Sequence, residues 1–248
     1  MVSAATTLGR PVPPNTARVW RGFRNPELTL PQFFDKLARV FIPVAMQMQR
    51  IYGLAAYLPA VLPVEKADCL PDEVALVFYE TQEAYRATKE YPGGRAYSDL
   101  HAIVFSLARS QSEFPQAFAG SLQPRVPYHL LADRADWQLS PVELWVGVRR
   151  AEISPDRYLD ELTGFARNLQ ACPTGIEGAI LCPHEDWLLY WECGLCVDSA
   201  HFRSLEAVAN PAFHATATPI TIPPLLTDKF EQVPVRGGEF YNTQFPRI

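Results

Sequence analysis

The segment WRGFRNPELTLPQFFDKL, residues 20–37, recurs as WVGVRRAEISPDRYLDEL, residues 145–162. The two copies lie 125 residues apart, align without a gap and are identical at six of eighteen positions. Unrelated segments of average composition share about one identity over this length. The match predicts that one structural unit occurs twice. The identical pairs are Trp20/Trp145, Gly22/Gly147, Arg24/Arg149, Glu27/Glu152, Asp35/Asp160 and Leu37/Leu162.

Each copy has the pattern of a strand, a short turn and a capped helix. Thr29 and Ser154 are expected N-caps, because their hydroxyls can accept a hydrogen bond from the first helical turn. Apolar residues flank each cap at the spacing of a hydrophobic staple, namely Leu28 with Phe33 and Ile153 with Tyr158. Pro43 should bend the first helix.

Further segments recur in the same order and complete the unit. Residues 77–80 and 189–192 are expected strands, as are residues 53–59 and 175–183. Helices around Tyr85 and Phe202 follow, and last strands are predicted at about 125–131 and 214–222. The order βαββαβ is that of a ferredoxin-like unit. We therefore expect an α+β fold with units at 1–133 and 134–248, an insertion at 92–123 and a C-terminal tail.

This tandem arrangement resembles the dimeric α+β barrel superfamily. That superfamily includes antibiotic-biosynthesis monooxygenases, EthD-like proteins, muconolactone isomerases and the haem-binding chlorite-dismutase group. The resemblance covers roughly residues 16–225 and rests on the topology and the repeat. It implies two sheets that pack as an intramolecular barrel, and a cavity that binds a small molecule.

Composition narrows the classes of partner. A net charge of -5 and a pI near 5.6 argue against a nucleic-acid surface, which needs a basic patch. The most apolar stretches are too short for a membrane span, and the first residues lack the apolar core of a secretory signal. Five cysteines without framework spacing favour reduced thiols and therefore a cytoplasmic protein. The chain is expected to be a monomer or a homodimer, because two fused units can close a barrel within one chain.

Residues present in both copies are expected to support the shared fold. Trp20, Trp145, Tyr79, Glu80 and Glu192 are predicted to line the cavity as substrate-binding residues. Arg24 and Arg149 form structural ion pairs with these glutamates or, alternatively, stabilise a substrate oxyanion.

All five histidines occur in one copy only. His101, on a helix face with Tyr97 and Val104, and His129, in a strand-like segment, are the candidates for general acid/base catalysis or for metal or haem ligation. The alternative for each is a hydrogen-bonded core histidine. The other three are expected at the surface or hydrogen-bonded, with His184 solvated in a turn; they are His184, His201 and His214.

The spacing of Cys193 and Cys196 is that of redox and zinc motifs, but no second Cys or His pair accompanies it, so buried structural thiols are expected. No metal is predicted. The sequence has no recognisable counterpart of the superfamily's proximal haem histidine, and the region before the second copy's middle strands contains Asn168 and Cys172 instead.

The leading hypothesis is a small-molecule enzyme of natural-product or catabolic metabolism, and the resemblance to the superfamily's oxygenases and isomerases implies that it needs no cofactor. It would oxygenate or isomerise an apolar or aromatic small molecule, with His101 or His129 moving a proton and Arg24 or Arg149 stabilising the oxyanion. The alternatives are a small-molecule carrier without chemistry, a haem-binding barrel protein and a structural protein with a filled barrel.

Overall fold

The repeated tryptophans lie on matching strands of two antiparallel sheets. The structure is a computed structural model, and it describes residues 16–45, 53–112, 116–117, 121–131, 135–137, 140–171, 176–194 and 199–217. The predicted tail at 228–248, Cys172 and Cys196 lie outside these ranges.

The first unit contains β1 (Thr16–Gly22), α1 (Leu30–Lys36), β2 (Leu54–Val61), β3 (Glu73–Tyr79), α2 (Gln82–Glu90), α3 (Pro92–Val104), β4 (Gln111–Ser112) and β5 (Gln116–Ala117). Its sheet has the order β2-β3-β1-β4, and β5 also pairs with β1. A π-helical segment, Leu37–Phe41, continues α1 and ends just before Pro43. Proline cannot donate the next backbone hydrogen bond, so it disturbs the regular helix at this point.

The second unit contains β6 (Tyr128–His129), β7 (Val142–Arg149), α4 (Pro155–Ala171), β8 (Gly178–Pro183), β9 (Trp187–Cys193), α5 (Ser199–Leu205) and β10 (Ala209–Ala217). Its sheet has the order β10-β7-β9-β8-β6. Without β6 this is the strand order of a ferredoxin-like unit, as it is in the first unit.

The two sheets face each other across a shared apolar core. Alternation along β1 directs Ala17 and Val19 into this core and Arg18 and Trp20 to the opposite face. Each outer face packs against the helices of its own unit. The predicted α+β fold of two ferredoxin-like units is confirmed.

The repeated Trp-x-Gly pattern has a packing explanation. A Cβ atom on Gly147 would lie 2.2 Å from Cη2 of Trp145, and one on Gly22 would lie 2.6 Å from Nε1 of Trp20. Residues two apart on a strand share a face, so each indole ring lies over the bare backbone of the glycine. The predicted N-cap of Thr29 is also confirmed, as Thr29 forms a reciprocal capping box with Gln32.

The predicted last strand of the first unit is wrong. Tyr128 and His129 pair with Leu181 and Ile180 of β8, so this strand extends the second sheet. The fourth-strand position of the first unit is taken by β4 and β5 instead, both within the predicted insertion. Local pattern marks 125–131 as a strand, whereas its partner depends on contacts distant in sequence. The unit boundary at 133/134 stays a prediction.

The alignment of the third strands is also corrected. Trp20 pairs with Ala75 and Trp145 pairs with Tyr190. The counterpart of Glu192 is therefore Val77, three residues before Glu80. Apolar runs align almost equally well in several registers, so the sequence match did not resolve this shift. Within the described ranges, no helix is long and apolar enough to cross a bilayer.

Candidate functional site

Apolar side chains fill the space between the sheets, where the sequence predicted a cavity. Residues such as Leu76, Phe78, Leu144 and Trp191 are at most 1% exposed there. A pocket occurs instead on the outer face of the first sheet, beneath α1 and α3. Its lining residues are Arg18, Trp20, Phe41, Ala45, Leu54, Tyr57, Val77, Tyr79, Tyr97 and His101.

Four elements and the π-helical segment build this pocket. Strand alternation directs Arg18 and Trp20 from β1, and Val77 and Tyr79 from β3, towards the helices. The π-helical segment brings the ring of Phe41 to 4.7 Å from that of His101, centroid to centroid. The open volume is about 20 Å³, which is room for one or two water molecules.

His101 projects from α3 into a cage of aromatic rings. Its Nδ1 lies 3.3 Å from the carbonyl oxygen of Tyr97 and 3.2 Å from that of Ser98. A carbonyl oxygen only accepts hydrogen bonds, so Nδ1 carries the proton and Nε2 keeps its lone pair. Burial and the nearby charge of Arg18 lower the pKa of His101 to about 4. The ring is therefore neutral at pH 7 and a hydrogen-bond acceptor.

Arg18 brings a positive charge to the same pocket. Its Nη2 donates to Oγ of Ser112 over 2.5 Å, and its guanidinium carbon lies 5.0 Å from the ring centre of Tyr85. Across the described ranges, no carboxylate forms an ion pair with Arg18. The charge is thus available to a ligand. Burial, opposed by Arg18, raises the pKa of the Tyr79 phenol, so this group stays protonated.

A buried carboxyl group, Glu73, supports the pocket from the start of β3. It has no exposed surface, and burial raises its pKa to about 8, against the effects of Tyr57 and Trp20. The hydroxyl of Tyr57 donates to Oε1 of Glu73 over 3.3 Å. At neutral pH Glu73 is mostly protonated, and it holds Tyr57, a lining residue, in place.

Arg24 and Arg149 lie outside this pocket, at the strand-to-helix turns of the two units. Nη1 of Arg24 donates to the carbonyl oxygen of Leu28, and Nη1 of Arg149 donates to that of Ile153. Arg149 also forms an ion pair of 2.8 Å with Asp186. The predicted pairing of these arginines with Glu80 and Glu192 is therefore wrong, since each arginine closes its turn with nearer partners.

The other predicted residues are divided among different places. Trp20 and Tyr79 line the pocket together with His101, whereas Glu80 is exposed beyond the end of β3. Trp145 and Glu192 are buried in the second unit. His129 is buried on β6, with its ring 5.9 Å from that of Trp137. The structure does not bring His129 and His101 together.

The prediction of a solvated His184 is wrong. The side chain is 5% exposed and stacks on Trp187 at 3.8 Å, with an angle of 1° between the rings. Burial, aided by Arg21 and Arg125, lowers the pKa of His184 to about 2. Its turn is polar in sequence but folds back onto the adjacent strand, so the ring leaves solvent. His214 is exposed, with Nε2 3.1 Å from Oε2 of Glu143.

The surroundings of His101 do not fit a haem group. A porphyrin needs a flat slot beside its histidine ligand, but the rings of Trp20, Phe41 and Tyr97 stand edge-on to His101 at 4.7–4.9 Å. Among the residues placed by the structure, no group of three or more His, Cys, Asp or Glu could hold a metal ion.

Sequence reasoning missed Arg18, Tyr57 and Glu73. A usable signal was present for Arg18, because it shares the period-two face of β1 with Trp20. A charged residue in the middle of a buried strand needs a partner or a ligand. The sequence contains no such signal for Glu73, because its burial depends on both neighbouring strands.

No family model matches the sequence, and no curated protein is significantly similar to it. Solved structures of similar fold include a proposed monooxygenase from Lactobacillus acidophilus, with 7% identity and a TM-score of 0.44. That likeness covers 82% of this chain and 93% of the other.

An anthrone oxidase-like protein has 10% identity and a TM-score of 0.40, with coverage of 83% and 90%. A chlorite dismutase mutant from Candidatus Nitrospira defluvii has 11% identity and a TM-score of 0.35, with coverage of 83% and 92%. Likeness this distant does not bear on chemistry.

Proposed function

We propose that the pocket beneath α1 and α3 binds a small aromatic molecule and removes a proton from it. One observation carries this proposal: the unprotonated Nε2 of His101 and the unpaired charge of Arg18 belong to the same apolar pocket. A base beside a fixed cation suits a reaction in which negative charge develops on a substrate oxygen.

The proposed step moves a proton from an activated C–H bond of the substrate to Nε2 of His101. The electron pair left behind delocalises onto the substrate's carbonyl oxygen, where Arg18 stabilises it. The enolate is then reprotonated at another carbon, which is an isomerisation. Alternatively, dioxygen oxidises it, so that a methylene becomes a carbonyl and water is released. We propose that neither route uses a cofactor.

The ligand must displace side chains, because the open volume is about 20 Å³. Phe41 is the obvious residue to move, since it belongs to the irregular π-helical segment of the first helix. The variant Phe41→Ala should therefore bind a bulky ligand more tightly than the native chain, provided that it folds.

The experiment uses anthrone, whose methylene is acidified by the neighbouring carbonyl and rings. The full-length chain is incubated with anthrone in air and under argon, and anthraquinone is measured by mass spectrometry. We expect turnover in air that falls about 100-fold in His101→Gln and at least 10-fold in Arg18→Gln. His214→Gln, an exposed histidine of the other unit, is the matched control. Activity unchanged in His101→Gln would refute the proposal.

A carrier without chemistry is the second candidate. The low pKa of His101, about 4, makes it a weak proton acceptor at neutral pH and favours this candidate. In that case anthrone binds in the pocket and changes the fluorescence of the native chain but not that of Trp20→Phe, and no anthraquinone forms in air.

A further inference from the structure

The second unit contains a buried polar cluster that the first pocket does not use. Glu192 on β9 has no exposed surface. The hydroxyl of Tyr190 donates to its Oε2 over 2.9 Å, and Nδ1 of His201 lies 3.4 Å from the same oxygen. Nδ1 is buried and makes no hydrogen bond at this distance within the described residues, but a carboxylate this close favours the tautomer with the proton on Nδ1.

His201 also reaches the surface, at a groove between α4 and α5. The groove has a volume of about 370 Å³, and its lining residues are Glu161, Gly164, Phe165, Asn168, Leu169, His201 and Ser204. With Nδ1 buried beside Glu192, Nε2 stands on the other edge of the ring. Nε2 is therefore the atom that His201 offers to a ligand in the groove.

The lining chemistry limits the ligand. Phe165 and Leu169 provide an apolar wall, and the ring of Phe165 lies 5.4 Å from that of Tyr190. Asn168 and Ser204 add neutral hydrogen-bonding groups. Among the residues that the structure describes, no lysine or arginine lines the groove, whereas Glu161 does, so an organic anion would meet repulsion. A neutral aromatic molecule with one hydroxyl group fits these conditions.

The groove is not a copy of the first pocket. Strand register makes Val77 the counterpart of Glu192, and His101 lies on α3 whereas His201 lies on α5. The two sites share no residue.

We propose that this groove is a second small-molecule site, which binds a phenol through Nε2 of His201. Glu192 is a positioning residue, because it is buried behind the histidine and acts through Nδ1. The phenol ring lies along Phe165 and Leu169. The site stands independently of the proposed function of the first pocket.

The test uses the full-length chain with isotope-labelled histidine and 2-naphthol as the probe. We expect saturable shifts of the His201 ring signals, and nitrogen shifts that place the proton on Nδ1 before the probe is added. His201→Phe should weaken binding at this site about tenfold, the loss of one hydrogen bond. Ser204→Trp, which fills the groove from an exposed helix position, should abolish it.

Further variants separate positioning from folding. Glu192→Gln should weaken binding about threefold to tenfold and remove the preference for Nδ1–H, a change that a purely structural glutamate would not cause. His101→Gln should leave the His201 shifts unchanged, so that failure at one site is distinguished from failure at the other.

The site is refuted if 2-naphthol does not shift the His201 signals, or if Ser204→Trp leaves the shifts intact. The ligand class is refuted if 2-naphthoate or 2-naphthylmethylammonium binds more tightly than 2-naphthol.

Discussion

The hydroxyl of Tyr57 donates a hydrogen bond of 3.3 Å to Oε1 of Glu73, a carboxyl group with no exposed surface. A lining residue of the pocket is thus held by an acid that the fold keeps protonated at neutral pH. The free-energy cost of keeping Glu73 protonated in the folded state depends on pH, so the pH dependence of stability tests the arrangement.

Glu73→Gln should stabilise the protein at alkaline pH. The folded pKa is about 8 and the ordinary value is 4.5, so between these values the folded state holds a proton that the unfolded state has released. Native stability therefore falls as pH rises from 4.5 to 8. The variant should be more stable by on the order of 4 kcal/mol at pH 8 and nearly equal at pH 4.5.

Urea unfolding at pH 5 and pH 8 measures this difference, and the exposed Glu90→Gln is the control. Parallel pH profiles for Glu73→Gln and the native chain would show that Glu73 is ionised when folded.

His101→Gln should make the protein less sensitive to acid. Burial lowers the pKa of His101 from 6.5 to about 4, so the unfolded chain takes up the proton first as pH falls. Native stability is lost between pH 6.5 and pH 4, by up to about 1.4 kcal/mol per pH unit. The variant lacks this slope but keeps that of His184, which is also buried and neutral. Thermal melts of the variant and the native chain between pH 4.5 and 7.5 test this prediction. The same slope of stability against pH in both chains would contradict it.

Arg149→Lys should lower stability without lowering turnover. Arg149 closes its turn through Ile153, Glu185 and Asp186, and lysine cannot reproduce this fork of hydrogen bonds. We expect a loss of about 1–2 kcal/mol, and a smaller loss in Arg24→Lys. Arg157→Lys, an exposed ion-pair residue, should change stability by less than about 0.5 kcal/mol. A large fall in anthrone turnover with intact stability would restore the catalytic role first predicted for Arg149.

Gly147→Ala should be strongly destabilising, because the new methyl group would overlap the indole of Trp145 at 2.2 Å. Displacing that ring from the core should cost about 2–4 kcal/mol. Gly164→Ala is the matched control: nothing lies within 4 Å of its would-be Cβ, and it is helical. That change should add about 0.5–1 kcal/mol. Denaturant midpoints measure the stability changes of both variants. Equal changes in Gly147→Ala and Gly164→Ala would rule out the packing explanation of the Trp-x-Gly repeat.

Local rules made the ends of the elements predictable. Thr29 forms the expected capping box, and the repeated tryptophans lie on matching strands, because caps and strand faces depend on residues a few positions apart. The sheet that receives Tyr128 and His129 depends instead on which edge strand lies nearby in the fold. That information is not contained in the local pattern.

The candidate site was only partly predictable for a similar reason. His101 stands out as a histidine that occurs in one copy only and lies on an apolar helix face. Trp20 stands out because it recurs in both copies. The comparison of the two copies selects residues that recur and histidines that do not. Arg18 and Glu73 belong to neither group, so it does not select them. Their importance comes from what surrounds them. Arg18 lies in a pocket in which no carboxylate of the described residues opposes it, and Glu73 lies at a fully buried strand end.

The pairing of β6 with β8 ties the two halves of the chain together. The strand that protects the edge of the second sheet comes from sequence that precedes β7. Every residue of β8 is buried, so expressing the second half alone would uncover an apolar edge with free backbone groups. We expect such a fragment to aggregate more readily than the full-length chain. A cut at the repeat boundary would therefore separate β8 from the strand that covers its edge.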